Sequence, residues 1–178
     1  MSIFITMSGY AAQNHTAYIN ENGEVIETGI DIIVDGAALD FSGVHEPVII
    51  DGRTLIPMRK LFETLNAEVS WDENEQSITA SSNGTTVKLF INNSVMYVNG
   101  VSTVLDTAPR LMKYNDNFDT TMVPVRAVSE SFSCDVNWDE ENYSVIITTI
   151  PTETTAPQTE PPIATGAPNI SDKIQTQN

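Results

Sequence analysis

An α+β fold, in which antiparallel β-hairpins wrap around short α-helices and the whole unit is duplicated, follows from three features of the sequence. The first is an internal repeat. Leu55-Ile56-Pro57-Met58-Arg59 leads through Leu65-Asn66-Ala67-Glu68-Val69-Ser70 to Trp71-Asp72, and Met122-Val123-Pro124-Val125-Arg126 leads through Phe132-Ser133-Cys134-Asp135-Val136-Asn137 to Trp138-Asp139. Prolines and tryptophans keep one offset of 67 positions (124 − 57 and 138 − 71) without a gap, the mark of a repeated structural unit. The second is a series of Asn-Gly and Asp-Gly dipeptides between short alternating runs. The third is the scarcity of helical pattern, confined to two stretches that each begin beside a proline.

Taken in chain order, Asn22-Gly23 separates Ala17-Tyr18-Ile19 from Val25-Ile26, and Asp35-Gly36 follows Ile32-Ile33-Val34. Asn83-Gly84 divides Ile78-Thr79-Ala80 from Val87-Lys88-Leu89-Phe90-Ile91, and Asn99-Gly100 follows Met96-Tyr97-Val98. Asparagine, aspartate and glycine supply the positive φ that a two-residue hairpin turn needs, so each is expected to reverse an antiparallel pair. Pro57 and Pro124 suit a first helical turn, where a missing N–H costs nothing. Helices are expected over Arg59 to Leu65 and Arg126 to Phe132, with Leu61, Phe62 and Leu65 on one buried face and Val125, Val128 and Phe132 on the other. After each helix Ala67, Val69 and Trp71, or Cys134, Val136 and Trp138, alternate inward along a strand. An acidic turn follows (Asp72-Glu73-Asn74-Glu75 or Asp139-Glu140-Glu141-Asn142), and the chain returns through Ile78 and Ala80 or through Val145 and Ile147.

Composition bounds what this framework can do. The chain has 178 residues, 40% of them apolar, enough for one core of ordinary size or two small ones. Eight basic residues against twenty-four acidic ones give a formal charge of −16, which repels phosphate backbones and anionic headgroups and argues against nucleic acid as a partner. No stretch approaches the eighteen apolar residues of a membrane span. Residues 1–13 are read as the remnant of an export signal, with apolar Ile3-Phe4-Ile5-Thr6-Met7 ahead of small residues but without a basic start. Residues 14–29 form an N-terminal hairpin extension, residues 30–95 and 96–150 the two repeats, and residues 151–178 a Pro/Thr-rich spacer without the apolar content to order itself.

The residues of the first repeat resemble a known family. Asp51-Gly52-Arg53-Thr54-Leu55-Ile56-Pro57-Met58-Arg59, followed by Leu65-Asn66-Ala67-Glu68-Val69-Ser70-Trp71-Asp72 and by Val98-Asn99-Gly100, is similar to the copper amine oxidase N-terminal-like, or stalk, domain over about residues 30 to 150. The resemblance implies an exported, extracytoplasmic module of Gram-positive bacteria, often repeated and joined to enzymatic or wall-associated partners. The resemblance does not imply oxidase activity, because in the oxidases copper and the modified tyrosine belong to a separate domain. The second copy departs from the pattern: Lys113 to Thr121 replaces Asp51-Gly52-Arg53-Thr54, and Ser133 stands after the helix where Asn66 stands in the first. Serine enters the left-handed region less readily than asparagine, so a distorted second helix end is expected.

The repeat signature itself (Arg53, Pro57, Arg59, Trp71, Asp72, Pro124, Arg126, Trp138, Asp139) reads first as scaffold. Arg59 and Arg126 each lie four residues before a glutamate, Glu63 or Glu130, and either arginine suits a clamp from its helix to Asp72 or Asp139. The alternative is recognition of a carboxylate or phosphate. Alternation with aliphatic neighbours makes Trp71 and Trp138 core anchors ahead of sugar-stacking platforms. Tyr114 and Phe118, in a loop that fits neither period, are the candidate partner contacts. The acidic turns lack the spacing of a dedicated calcium loop, and His15 and His45 are too few for a copper centre, so neither metal nor cofactor is expected. Cys134 reads as a small buried hydrophobe. No phosphate cradle or nucleophile elbow is found.

The function expected is a non-catalytic spacer or adhesion module at the cell envelope, its partner a wall component or another envelope protein. Two alternatives stand beside it: a wall-glycan or peptide binder using residues 113–121, and an accessory domain of a larger extracellular enzyme. Edge strands can pair between chains, which leaves the oligomeric state open.

Overall fold

The computed structural model describes residues 4–5, 15–115 and 118–150, with backbone alone at 4, 5, 114, 115 and 118. Apart from Phe4 and Ile5, the expected signal remnant lies outside the described residues, as does the Pro/Thr-rich spacer. The fold is mostly β with two short helices. In chain order the first strands are β1 (Phe4–Ile5), β2 (Thr16–Ile19), β3 (Val25–Thr28), β4 (Asp31–Val34), β5 (Ala37–Ala38), β6 (Val48–Ile50) and β7 (Arg53–Pro57). Helix α1 (Met58–Thr64) leads to β8 (Glu68–Asp72), β9 (Ser77–Ser82), β10 (Thr85–Phe90), β11 (Val95–Val98) and β12 (Val101–Val104). The chain continues through β13 (Arg110–Asn115), β14 (Phe118–Pro124), α2 (Val125–Ser131), β15 (Cys134–Asp139) and β16 (Ser144–Thr149).

Among the described residues three sheets result, in the orders β1-β2-β3-β6-β7-β14-β13, β12-β11-β10-β9-β8 and β15-β16-β4-β5. Every pair is antiparallel except β4 with β16, which run parallel with Val145 opposite Ile32. That exception was not expected from hairpin signals, because a parallel pair needs a long connection and leaves no local turn to read. Two-residue turns follow three of the four expected dipeptides; at Asn22-Gly23 only the glycine has positive φ, and a longer connection from Asn20 to Glu24 joins β2 to β3. Asp35-Gly36, Asp51-Gly52, Asn83-Gly84 and Asn99-Gly100 all have positive φ at both positions, the conformation that matches the twist of the flanking strands.

The strands Val48-Ile49-Ile50, Leu55-Ile56 and Met122-Val123 are buried on both faces. Ile49, Ile56 and Val123 join a large core that includes Leu61 and Phe62 of α1, Val125 and Val128 of α2, and Val87, Leu89, Val145 and Ile147 of the other sheets. The alternate residues Val48, Ile50, Leu55 and Met122 close a small second core with Ile26 on the opposite face. In a flat sheet β3 and β13, four strand intervals apart, would lie roughly 19 Å from one another. Yet Glu24, in the turn before β3, meets Arg110 of β13 at 2.8 Å, so the sheet curls over the smaller core and the ion pair closes it.

The helices begin one residue earlier than expected. Pro57 and Pro124 each end a strand and sit at the N-cap, where extended backbone hands over to helix. At the far end of α1, Asn66 is left-handed (φ 51°), with its N–H bonded to Glu63 O and that of Ala67 to Phe62 O, a Schellman closure. Ser133 takes the same conformation (φ 60°) and its N–H reaches Glu130 O at 3.0 Å. The second helix end keeps this left-handed closure but has a tighter last turn: the Phe132 N–H bonds to Ser129 O, three residues back, where that of Leu65 bonds to Leu61 O, four back.

Strand β7 pairs with β14 with Met122 opposite Pro57, Val123 opposite Ile56 and Pro124 opposite Leu55. Ile56 and Val123 are themselves 67 positions apart (123 − 56), so residues separated by the repeat offset face each other across this pair. Phe62 of α1 meets Phe132, just past α2, edge-on with ring centroids 6.1 Å apart, a second contact between the two helical segments.

Candidate cleft beside Trp138

Several segments line an open cleft of about 950 Å³, three of them supplying most of its polar side chains. The tip of the β6–β7 hairpin contributes Arg53, the stretch from Thr103 to Thr107 after β11 contributes Asp106, and the start of α2 with β15 contributes Arg126, Glu130, Asn137 and Trp138. Each is placed by a local rule. The Asp51-Gly52 turn sets Arg53 at the mouth, Pro124 starts the helix that carries Arg126, and strand alternation sends Trp138 to the same side as Val136.

Trp138 lines this cleft and is 39% exposed, and Trp71 is 44% exposed. Neither indole is the core anchor that alternation suggested. Val69 is also exposed, since β8 is an edge strand with solvent on both faces. In the second unit Cys134 and Val136 are buried as expected, and the inward face opens only where Trp138 reaches the cleft. Burial pushes the Cys134 thiol up, with the nearby carboxylates of Asp35 and Asp135 acting in the same sense, which keeps it protonated and poorly nucleophilic.

Behind Trp138 lies an aromatic and polar cluster. Tyr143 contacts the indole in a T-shaped arrangement at 5.0 Å and 78°, and the ring of His15 lies 3.7 Å from that of Tyr143, centroid to centroid. The Tyr143 hydroxyl donates to Glu27, whose same carboxylate oxygen lies 3.2 Å from His15 Nε2. Burial first, and then the Glu27 hydrogen bond and charge, push the Tyr143 phenol far above its ordinary value, so it stays a donor throughout the physiological range. This cluster fixes the indole from behind and joins the start of β2 to the last hairpin.

The charged side chains of the cleft are mutually paired. Arg53 Nε donates to Asp106 Oδ2 at 2.9 Å and Nη2 lies at the same distance from that oxygen. Arg126 Nη1 lies 3.4 Å from Glu130 Oε1 and also donates to the backbone carbonyl of Val136. The expected arginine clamp thus exists at α2, but it grips a strand carbonyl rather than Asp139. Asp139 accepts from the N–H and the side-chain amide of Asn142 and stabilises its own turn, as Asp72 does through the N–H groups of Asn74 and Glu75. Those bonds hold the Asp139 carboxyl below the ordinary range. Arg59 is exposed and forms no ion pair with Glu63 among the described residues.

Tyr114 and Phe118 belong to strands β13 and β14, not to a free loop: Asn115 pairs with Phe118 across the tip, with a bulge between Lys113 and Asn115. Their side chains lie outside the described residues. Sequence reasoning expected a loop there because the bulge breaks the period-two pattern by which a strand is recognised. It passed over Tyr143, Glu27 and Asp106. One signal was available for Tyr143: an aromatic stands in a polar turn where the first unit, 67 positions earlier, has Gln76. Among the described residues no three His, Cys, Asp or Glu side chains converge as a metal site, and no helix is long and apolar enough to cross a membrane.

Residues 33–147 match the family model described as copper amine oxidase N-terminal domain. No curated protein matches the chain.

Proposed function

Since the chain belongs to the copper amine oxidase N-terminal domain family, that of a non-catalytic accessory domain, we propose that it is an exported interaction module of the bacterial cell envelope, which attaches to the wall through the cleft beside Trp138. One observation carries this reading: a half-exposed indole, backed by Tyr143 and flanked by paired polar side chains, lines a cleft of about 950 Å³, the upper end of the roughly 300–1,000 Å³ typical of ligand sites. Large apolar side chains left at a concave, polar-rimmed surface mark recognition more often than scaffold. The net charge of −16 suits a solvated extracellular surface. The two units are read as copies of one ancestral element, supported by the common offset of 67 and by the pairing of Ile56 with Val123.

The test is retention of the full chain on isolated Gram-positive cell walls, with and without calcium. Saturable retention in both conditions is expected. Retention only with calcium would transfer the role to the acidic turns, and no retention in either would leave a passive spacer. The family's description as an N-terminal domain favours one further reading, an accessory part of a larger extracellular enzyme. Open reading frame beyond Asn178 that encodes a catalytic domain would support it.

A further inference from the structure

We propose that the ligand of the Trp138 cleft is a neutral saccharide chain, stacked on the indole and held through its hydroxyls by the Arg53–Asp106 and Arg126–Glu130 pairs. The inference rests on the interaction-module reading and specifies its ligand. Charge is the first argument. The lining carries Arg53 and Arg126 against Glu27, Asp106 and Glu130, in a molecule with formal charge −16. Both guanidiniums are already engaged by carboxylates at 2.9 and 3.4 Å, so a phosphate or carboxylate would have to share each guanidinium with a carboxylate and would meet a surplus of negative charge. A cation would find each of the Asp106, Glu130 and Glu27 carboxylates already partnered.

The second argument is hydrogen-bond capacity. Guanidinium groups only donate and carboxylates only accept, whereas a hydroxyl does both. Vicinal hydroxyls can therefore bridge an arginine–carboxylate pair, donating to one member and accepting from the other, without breaking it. Asn137, whose amide offers both functions, lines the same wall. The third argument is the platform. The apolar face of a pyranose ring buries its C–H groups against an aromatic plane, and Trp138 is exposed by 39% and held at 78° to Tyr143. Trp71 is exposed too, but Gln76 occupies the position of Tyr143 and Arg59 is unpaired among the described residues, so the first unit lacks the backing and the polar forks.

The experiment is a tryptophan-fluorescence titration of the full chain with chitotetraose, cellotetraose and mannotetraose as neutral probes and tetragalacturonate as the anionic one. A saturable change is expected with at least one neutral probe, and at least tenfold weaker binding of tetragalacturonate. Trp138→Ala should weaken the neutral probe at least tenfold, followed by isothermal calorimetry because the reporter is lost, while Trp71→Phe leaves it unchanged. Arg126→Lys, which keeps the charge but not the planar fork, should weaken it several-fold and guards against a misfolded Trp138→Ala. Three results would overturn the proposal: no neutral probe saturates, tetragalacturonate binds more tightly, or Trp138→Ala binds like wild type while melting normally. Wall retention without saccharide binding would sink the ligand class and leave the module reading standing; saccharide binding without wall retention would do the reverse.

Discussion

Glu24 and Arg110 show how one residue pair can report on a whole sheet. Their ion pair, with side chains about a third exposed (30% and 27%), closes the curled sheet over the core of Ile26, Val48, Ile50, Leu55 and Met122. The Arg110 guanidinium, and after it the Asn20 amide, hold the Glu24 carboxyl below its ordinary value. A carboxyl lowered in the folded state contributes stability above the unfolded-state value and loses it as pH falls through the folded one. Glu24→Gln is therefore expected to cost about 1 kcal/mol at neutral pH and nothing once both states are protonated, in urea melts across that range. A cost that persisted unchanged in acid would mean that the geometry of the side chain, not its charge, closes the sheet. Side chains also mark where sequence reading stopped. The Arg126 clamp was legible as an arginine fixing a helix to its hairpin, but its acceptor is the carbonyl of Val136, and every residue has a carbonyl. Alternation correctly put Trp138 on the face of Cys134 and Val136 yet gave no information on what covers that face, which depends on segments more than thirty residues away, such as the one that carries Asp106.

Helices and hairpins were legible to the extent that their termination is local. Asn-Gly and Asp-Gly turns, and the apolar faces of Leu61, Phe62, Val125 and Val128, lie where propensity and period place them. The parallel pairing of β4 with β16 was not, because its register depends on Ile32 and Val145 sharing a core and on no turn between them. At the end of α2, Ser133 adopts φ 60° despite its Cβ. Ser133→Gly relieves that strain and is expected to stabilise the protein by about 0.5–1 kcal/mol, net of the added freedom of the unfolded chain, seen as a raised midpoint in thermal denaturation. A lowered midpoint would show that the serine side chain supports this turn in some other way.

At the scale of the whole molecule, one large core draws on both halves of the chain, from Ile30 to Ile147. The β7–β14 pair and the seating of β4 beside β16 interleave residues 30–95 with residues 96–150. Neither segment is expected to fold alone. Expressed separately, each should lack a cooperative thermal transition, and equimolar mixing should restore one; an independent cooperative melt of either would contradict the shared core. The same interleaving explains why the cleft draws on distant parts of the chain: Arg53 comes from residues 30–95, Asp106, Arg126 and Trp138 from residues 96–150, and Glu27 from β3. Residues that look like scaffold within one segment become a lining once the distant segment is set beside it.

The central claim is that recognition resides in this cleft, and paired variants on isolated walls test it most directly. Full-length Trp138→Ala with Arg126→Lys should lose retention at least tenfold, while Tyr114→Ala with Phe118→Ala, on the β13–β14 hairpin, keeps wild-type retention and both melt normally. Loss confined to the hairpin variant, with the cleft variant retained like wild type, would contradict the account.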